Sequence, residues 1–130
     1  MKAYWDSGAL VAATADVPIR NRLRQERGFT RTHALSEVFS ALTGGRLAIR
    51  LEADDAAEVL DNLAEDLDFI DLDAGEVLAA LKQARQHGVR GGRIHDFLHA
   101  VAADKSDVQE LLTTDQFDFT SLTPLKVVVV

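Results

Sequence analysis

Short β-prone runs alternate with longer helical patterns along the chain, and this alternation constrains the fold more than any other feature of the sequence. Strands that alternate with helices form βαβ units, in which neighbouring strands run parallel. We therefore predict an α/β fold, a three-layer sandwich with a mainly parallel central sheet flanked by helices. The valines that close the chain are predicted to form a buried strand of that sheet. The β-prone runs are KAYWD, GFTRT, DFIDL, ELLTT and LKVVVV.

Two helical patterns carry recognisable ends. HALSEVFSALTGG places apolar residues at helical spacing and finishes on two glycines, which is typical of a helix C-terminus. DAGEVLAALKQARQHG begins with Asp73 and carries Glu76 three residues later, as a capping box does. Both segments are predicted to be helices.

The composition limits the class of protein. A chain of 130 residues that is 47% hydrophobic and contains only 2 prolines fits a single domain, residues 1–130, with a core of its own. The absence of cysteine excludes disulfides, thiolate nucleophiles and zinc sites built on cysteine. No apolar run is long enough to span a bilayer, and an acid stands where a signal peptide needs its apolar region. We expect a cytoplasmic protein that does not contact a membrane.

The charge is unevenly distributed. A net charge of -7 argues against binding of nucleic acid through general positive charge. The segment IRNRLRQERGFTR is nevertheless basic, and its arginines are either a solvated helix face or a surface for a phosphate backbone or an acidic partner. Arg90 and Arg93, beside two glycines, are either phosphate contacts or loop residues. The arginines of the basic segment are Arg20, Arg22, Arg24, Arg27 and Arg31.

Isolated carboxylates lie on otherwise uncharged helix faces. In RGGRIHDFLHAVAA, Asp96 lies opposite the apolar stripe of its helix, on a face shared with His99 and small residues. Glu37 has the same kind of position in the preceding HALSEVFSALTGG helix. We interpret each face as a second packed face or as the wall of a cleft that the two acids share. His99 is interpreted as a hydrogen-bonded structural histidine, and contact with a substrate or an outer-shell water is the alternative.

Two further acids follow predicted strands. Asp6 comes after Ala3, Tyr4 and Trp5, and Asp115 comes after the ELLTT run. Sites in parallel sheets form at the carboxyl ends of strands, near the point where the strand order reverses. An aspartate after a strand is also a common helix N-cap, so capping alone remains an alternative for each.

Gathered carboxylates repel one another unless cations neutralise them. Oxygen ligands without cysteine favour Mg²⁺ or Mn²⁺. Ions of this kind activate water and stabilise a leaving oxygen, so the pattern points to hydrolysis of phosphodiester bonds.

The acidic segments resemble the four acidic motifs of the PIN domain family, and the chain is most similar to the VapC-like toxins of prokaryotic toxin–antitoxin pairs. The resemblance covers nearly the whole chain in the right order. Gly8 departs from it where a small polar residue is common, and His95 where an aromatic residue is frequent. The matching segments are YWDSGAL, ALSEVFSALTGG, GGRIHDFLHAVAA and LLTTDQFDF.

The resemblance implies that four acids line a Mg²⁺ or Mn²⁺ site for cleavage of single-stranded RNA. It implies that Ser7 and Thr113 support the site and that Asp118 shares or replaces the role of the last acid. It further implies an antitoxin of the VapB-like kind as partner, and a homodimer. The basic candidates for RNA contact are Arg22, Arg24, Arg90 and Arg93. The four acids are Asp6, Glu37, Asp96 and Asp115.

Three functions stay open at this point. The leading hypothesis is a ribonuclease toxin held in check by an antitoxin. The second is a PIN-like nuclease of RNA processing without an antitoxin. The third is a non-catalytic protein-binding domain whose acids are caps and solvated charges.

Overall fold

The structure, a computed structural model, describes residues 2–45 and 48–130, and the side chain of Asp118 lies outside the described part. Its longest helices have 12 residues. Within the described ranges, no helix is long and apolar enough to cross a membrane. The strands are β1 (Ala3–Trp5), β2 (Gly28–Arg31), β3 (Leu67–Ile70), β4 (Glu110–Thr113) and β5 (Lys126–Val129). The helices are α1 (Ser7–Ala15), α2 (Val17–Glu26), α3 (His33–Thr43), α4 (Ala53–Ala64), α5 (Ala74–Gln83) and α6 (Ile94–Lys105).

The five strands form one sheet in the order β3-β2-β1-β4-β5. Every neighbouring pair is parallel, so the predicted parallel sheet is confirmed. The strand order reverses beside β1, which pairs with β2 on one side and with β4 on the other. All strands therefore end on one side of the sheet. We call this side, where they end at Trp5, Arg31, Ile70, Thr113 and Val129, the carboxyl edge, and the opposite side the amino edge.

Helices cover both faces of the sheet. Because side chains alternate along a strand, Ala3 and Trp5 pack into a core with α1, α2, α3 and α4. Tyr4, between them, packs into a second core with residues of α5 and α6. The predicted three-layer sandwich is confirmed.

The helix ends follow the signals in the sequence. Gly44 is the C-cap of α3, and its N–H donates to the carbonyl of Ser40. The capping box of α5 is present: Asp73 accepts from the N–H of Glu76, and the Glu76 side chain accepts from the N–H of Asp73. Helix α3 begins two residues after β2 ends, which brings its first turns to the carboxyl edge.

The closing valines form a strand, but the prediction that this strand is buried is wrong. β5 lies at the end of the sheet and pairs only with β4. Val127 and Val128 are half-buried, whereas Val129 is 51% exposed. A run of valines favours a strand, but the topology determines whether a neighbour covers it on both sides.

Candidate functional site

Asp6 lies at the carboxyl edge, directly after β1 and at the start of α1. Its Oδ1 accepts a hydrogen bond of 2.7 Å from the N–H of Ala9, so it caps α1. Its Oδ2 accepts a hydrogen bond of 2.6 Å from the hydroxyl of Thr113, the last residue of β4. The two strands that flank the reversal of strand order are therefore joined through this carboxylate.

The environment of Asp6 opposes its negative charge. The side chain is buried, and burial raises the pKa of the carboxyl above its ordinary value of 3.8, although the hydrogen bonds from Thr113 and Ala9 lower it. A positive charge on His99 lowers this pKa further, and the negative charge of Glu37 raises it. Asp6 and Glu37 are thus close enough to influence each other's charge.

Glu37 is held by a buried histidine. Nε2 of His99 lies 2.8 Å from Oε1 of Glu37, and Nδ1 of His99 lies 2.7 Å from the hydroxyl of Tyr4. Burial raises the pKa of Glu37, but the hydrogen bond and charge of His99, with the charges of His33 and His95, outweigh it and lower the pKa overall. Glu37 is therefore ionised at neutral pH. His99 is buried and hydrogen-bonded, as expected, and one of its partners is a candidate acid.

Asp115 lies beside Asp6 at the carboxyl edge. Its backbone N–H donates to the hydroxyl of Thr113, the same hydroxyl that donates to Asp6. Its Oδ1 accepts from the N–H of Phe117 and caps a short 3-10 turn, Gln116–Asp118. The suggestion that Asp118 shares the role of Asp115 falls on a side chain outside the described residues.

Asp96 lies in the first turn of α6 and is half-buried. It is one turn before His99, on the helix face that the sequence predicted to be a second packed face. The burial of His99, Ala100 and Ala103 on that face confirms this prediction. Asp96 is thus carried by the same helix that positions the partner of Glu37.

Two cavities lie on either side of Glu37. One, of about 290 Å³, is bounded by α1, α3 and Thr114, and its lining includes Ser7 and Gly8. A side chain at Gly8 would place a Cβ 2.7 Å from the Thr114 hydroxyl, so this position is closely packed. The other cavity, of about 530 Å³, is lined by His33, Ser36, Glu37, Ser40 and His95.

The donors fit a hard divalent cation in kind. Asp6 and Glu37 offer carboxylate oxygens, the ligands that Mg²⁺ and Mn²⁺ prefer, and burial of Asp6 opposes its negative charge. Within the described residues, no group of three or more His, Asp or Glu side chains is arranged to hold a metal ion. Asp6 and Glu37 are therefore residues that could hold a divalent cation only together with further ligands.

Two arginines of the basic segment, Arg22 and Arg24, lie away from these acids. Arg22 lies 2.9 Å from Glu26 and 3.8 Å from Glu110, the first residue of β4, so it belongs to the amino edge. Arg24 is exposed and, with Arg20, lines a cavity of about 160 Å³ between α1, α2 and α4. The structure does not place Arg22 or Arg24 beside the candidate acids.

Arg90 and Arg93 precede the helix that carries Asp96. Arg93 donates a hydrogen bond of 2.8 Å to the hydroxyl of Ser121, and Arg90 is exposed beside a cavity of about 460 Å³. Arg31, which sequence reasoning left among the other arginines, is the last residue of β2 and so lies at the carboxyl edge. The signal that could have singled it out is its position near the end of the β-prone run GFTRT.

Comparisons with known proteins agree with this fold. The PIN domain family model matches residues 3–120. A crystal structure of VapBC2 from Rickettsia felis, bound to a DNA fragment from their promoter, has a TM-score of 0.70 and 17% identity, covering 98% of this chain and 98% of that one. The crystal structure of PAE2754 from Pyrobaculum aerophilum has a TM-score of 0.68 and 17% identity, covering 98% of this chain and 89% of that one. No curated protein matched the sequence.

Proposed function

The chain belongs to the PIN domain family, and on this premise we propose that it is a metal-dependent endoribonuclease, the toxin of a type II toxin–antitoxin pair. Residues 1–130 form its one nuclease domain. The observation that carries this proposal is the pair of acids Asp6 and Glu37, which come from different elements and share one electrostatic environment beside the reversal of strand order.

The metal site in this proposal is built from four acids on four elements. Mg²⁺ or Mn²⁺, when bound, supplies a water of lowered pKa and positive charge for the leaving oxygen. Thr113 orients Asp6 through its hydroxyl, and Ser7 lines the cavity beside it. Asp118 follows Asp115 closely in the sequence and can share its role. The four acids are Asp6, Glu37, Asp96 and Asp115.

The RNA strand enters through the cavities on either side of Glu37. Glu37 lines both cavities, so an RNA strand in either cavity passes beside this proposed metal ligand. In this proposal, the RNA phosphates are contacted by Arg90, by Arg93 and by Arg31 at the end of β2. The sequence-based proposal for Arg22 and Arg24 is weaker, because both lie away from the acids.

The partner in this proposal is an antitoxin of the VapB-like kind that covers the cleft, and the toxin is a cytoplasmic homodimer. The similarity in fold to VapBC2 supports this assignment. A nuclease of RNA processing would have the same site without the antitoxin. Co-purification with the product of an adjacent small reading frame, and loss of cleavage in that complex, distinguishes the two.

A non-catalytic role has one observation in its favour, because Asp6 and Asp115 do act as caps. Capping does not account for Glu37, which lies inside α3 and pairs with a buried histidine. It also does not account for the burial of Asp6, since a cap functions equally well in solvent. Asp16 caps α2 in an exposed position.

The test compares these two capping aspartates. Asparagine caps helices about as well as aspartate, so Asp6→Asn and Asp16→Asn both keep their helices. Purified protein is incubated with single-stranded RNA in EDTA, Mg²⁺ or Mn²⁺. We expect cleavage only with metal, loss of cleavage in Asp6→Asn and full cleavage in Asp16→Asn. Cleavage that survives in Asp6→Asn, or that proceeds in EDTA, contradicts the proposal.

A further inference from the structure

A chain of hydrogen bonds runs from the interior of the protein to the proposed metal site. The first bond joins the hydroxyl of Tyr4 to Nδ1 of His99, 2.7 Å away. Tyr4 is 0% exposed and His99 is 1% exposed. It continues 2.8 Å from Nε2 of His99 to Oε1 of Glu37, whose side chain is 24% exposed. The three residues come from β1, α6 and α3, so the chain joins both faces of the sheet.

At the outer end of these hydrogen bonds, His99 is the donor and Glu37 is the acceptor. An ionised carboxylate only accepts hydrogen bonds, so Nε2 of His99 carries the hydrogen and donates it to Glu37. Burial raises the pKa of the Tyr4 hydroxyl, so this group keeps its proton and can serve Nδ1 as a donor or an acceptor. The direction at Glu37 is therefore the same in either charge state of His99.

This contact uses one oxygen of the carboxylate. Oε1 accepts from His99, which leaves Oε2 as the oxygen that this bond does not occupy. A glutamate on a helix surface otherwise loses several rotatable bonds of freedom when it binds a metal. A buried partner that fixes the carboxylate beforehand removes much of that cost, as outer-shell hydrogen bonds do at metal sites.

We propose that His99 is a positioning residue that holds the Glu37 carboxylate ready for the metal ion, and that Tyr4 holds His99. This inference rests on the proposed function, because it takes Glu37 as a metal ligand. It also gives a role to the buried polar pair of Tyr4 and His99. If only packing were required, two apolar side chains of the same shape could replace this pair.

The test uses two amides that replace different nitrogens of the imidazole. The amide of His99→Gln reaches the position of Nε2 and can donate to Glu37, whereas that of His99→Asn reaches only the position of Nδ1. Both place an amide in the same buried position. Calorimetric titration with Mn²⁺ alone, without RNA, measures metal affinity, and chemical unfolding of the metal-free protein measures stability.

We expect His99→Asn to weaken Mn²⁺ binding about 10- to 100-fold, the range found for outer-shell partners of metal ligands. His99→Gln should recover most of the affinity. Tyr4→Phe, which removes only the hydroxyl, should weaken Mn²⁺ binding by a smaller factor. Leu63→Val, which changes a buried core residue of α4, should lower stability without changing metal affinity.

Two results separate failure of this inference from failure of the proposed function. If Glu37→Gln binds Mn²⁺ as tightly as the wild type, Glu37 is not a ligand and the proposed metal site itself is wrong. If Glu37→Gln weakens binding but His99→Asn and Tyr4→Phe do not, His99 is only structural and the inference is overturned. In a Glu37→Gln background, His99→Asn should cause no further loss of affinity, and an additive loss also overturns it. Should the His99 variants fail to fold, Tyr4→Phe decides alone.

Discussion

The acids at the two edges of the sheet have different kinds of neighbour. At the amino edge, acids meet permanent cations: Asp66 lies 2.7 Å from Arg20, and Asp68 lies 2.5 Å from Lys2 and 3.5 Å from Arg27. At the carboxyl edge, Glu37 is hydrogen-bonded to the imidazole of His99, and Asp6 accepts from the hydroxyl of Thr113 and the N–H of Ala9.

The difference separates structural charges from functional ones. The pairs at the amino edge join α2 and the start of β1 to the start of β3 and satisfy their own charges, so they need no ligand. The buried charge of Asp6 at the carboxyl edge is disfavoured by its surroundings, which is characteristic of a site completed by a cation and a substrate. Of the basic segment, Arg20 and Arg27 consequently belong to the architecture, whereas Arg31 lies at the carboxyl edge.

The largest effect should come from a ligand at the carboxyl edge. Glu37→Gln should reduce kcat for RNA cleavage by more than about 100-fold, since removing a metal ligand exceeds the loss caused by its outer-shell partners. The control is Glu76→Gln, which breaks a helix-surface pair with Lys105 and should leave kcat unchanged. Equal loss in both variants would show that helix carboxylates matter here for folding and not for catalysis.

A smaller effect should distinguish the arginines of the two edges. Arg31→Gln and Arg93→Gln should each weaken binding of single-stranded RNA to the inactive Asp6→Asn protein. Each should also flatten the dependence of log affinity on log salt by about 0.7 for every phosphate that the variant no longer neutralises. Arg22→Gln and Arg24→Gln should change neither quantity. A flatter salt dependence in the Arg22 and Arg24 variants would return the basic segment to the RNA path.

The smallest effect should be on stability, with opposite signs at the two edges. Asp66→Asn should lower the free energy of unfolding by about 0.5–1 kcal/mol, because it breaks the ion pair with Arg20. Asp6→Asn should raise the Tm of the metal-free protein at neutral pH, because the buried Asp6 charge costs stability. Thermal unfolding measures both effects, and a fall in Tm for Asp6→Asn would assign Asp6 to a purely structural role.

The pH dependence of the Asp6 effect has a defined direction. The pKa of Asp6 is higher in the folded protein than its ordinary value of 3.8, so the unfavourable charge is present above that value and disappears as the carboxyl is protonated. The difference in Tm between Asp6→Asn and the wild type should therefore shrink as the pH falls towards 4. A difference that stays constant with pH would point to a cause other than the charge.

Local features of this fold could be predicted from the sequence. The Asp73 capping box and the Gly44 C-cap are encoded within a few residues of one another, and each is present. The parallel sheet followed from the alternation of strands and helices, and the positions of Asp6 and Asp115 followed from their places after strands.

Contacts between distant segments could not be predicted in the same way. Asp6 and Thr113 are 107 positions apart, and Glu37 and His99 are 62 apart, so their meeting depends on strand order and on how α3 and α6 pack. The ion pairs of the basic segment likewise depend on the placement of β3 beside β2, which brings the start of β3 close to α2. Composition and periodicity do not encode which strand neighbours which.

We propose that Asp6 and Glu37 at the carboxyl edge hold the divalent cation. A crystal structure of the wild-type protein grown with Mn²⁺, with anomalous scattering recorded to locate manganese, tests this most directly. We expect a manganese ion bound by the carboxylates of Asp6 and Glu37, with Oε1 of Glu37 still hydrogen-bonded to His99. Manganese bound instead among the acids of the amino edge, or no manganese at Asp6 and Glu37, would contradict it.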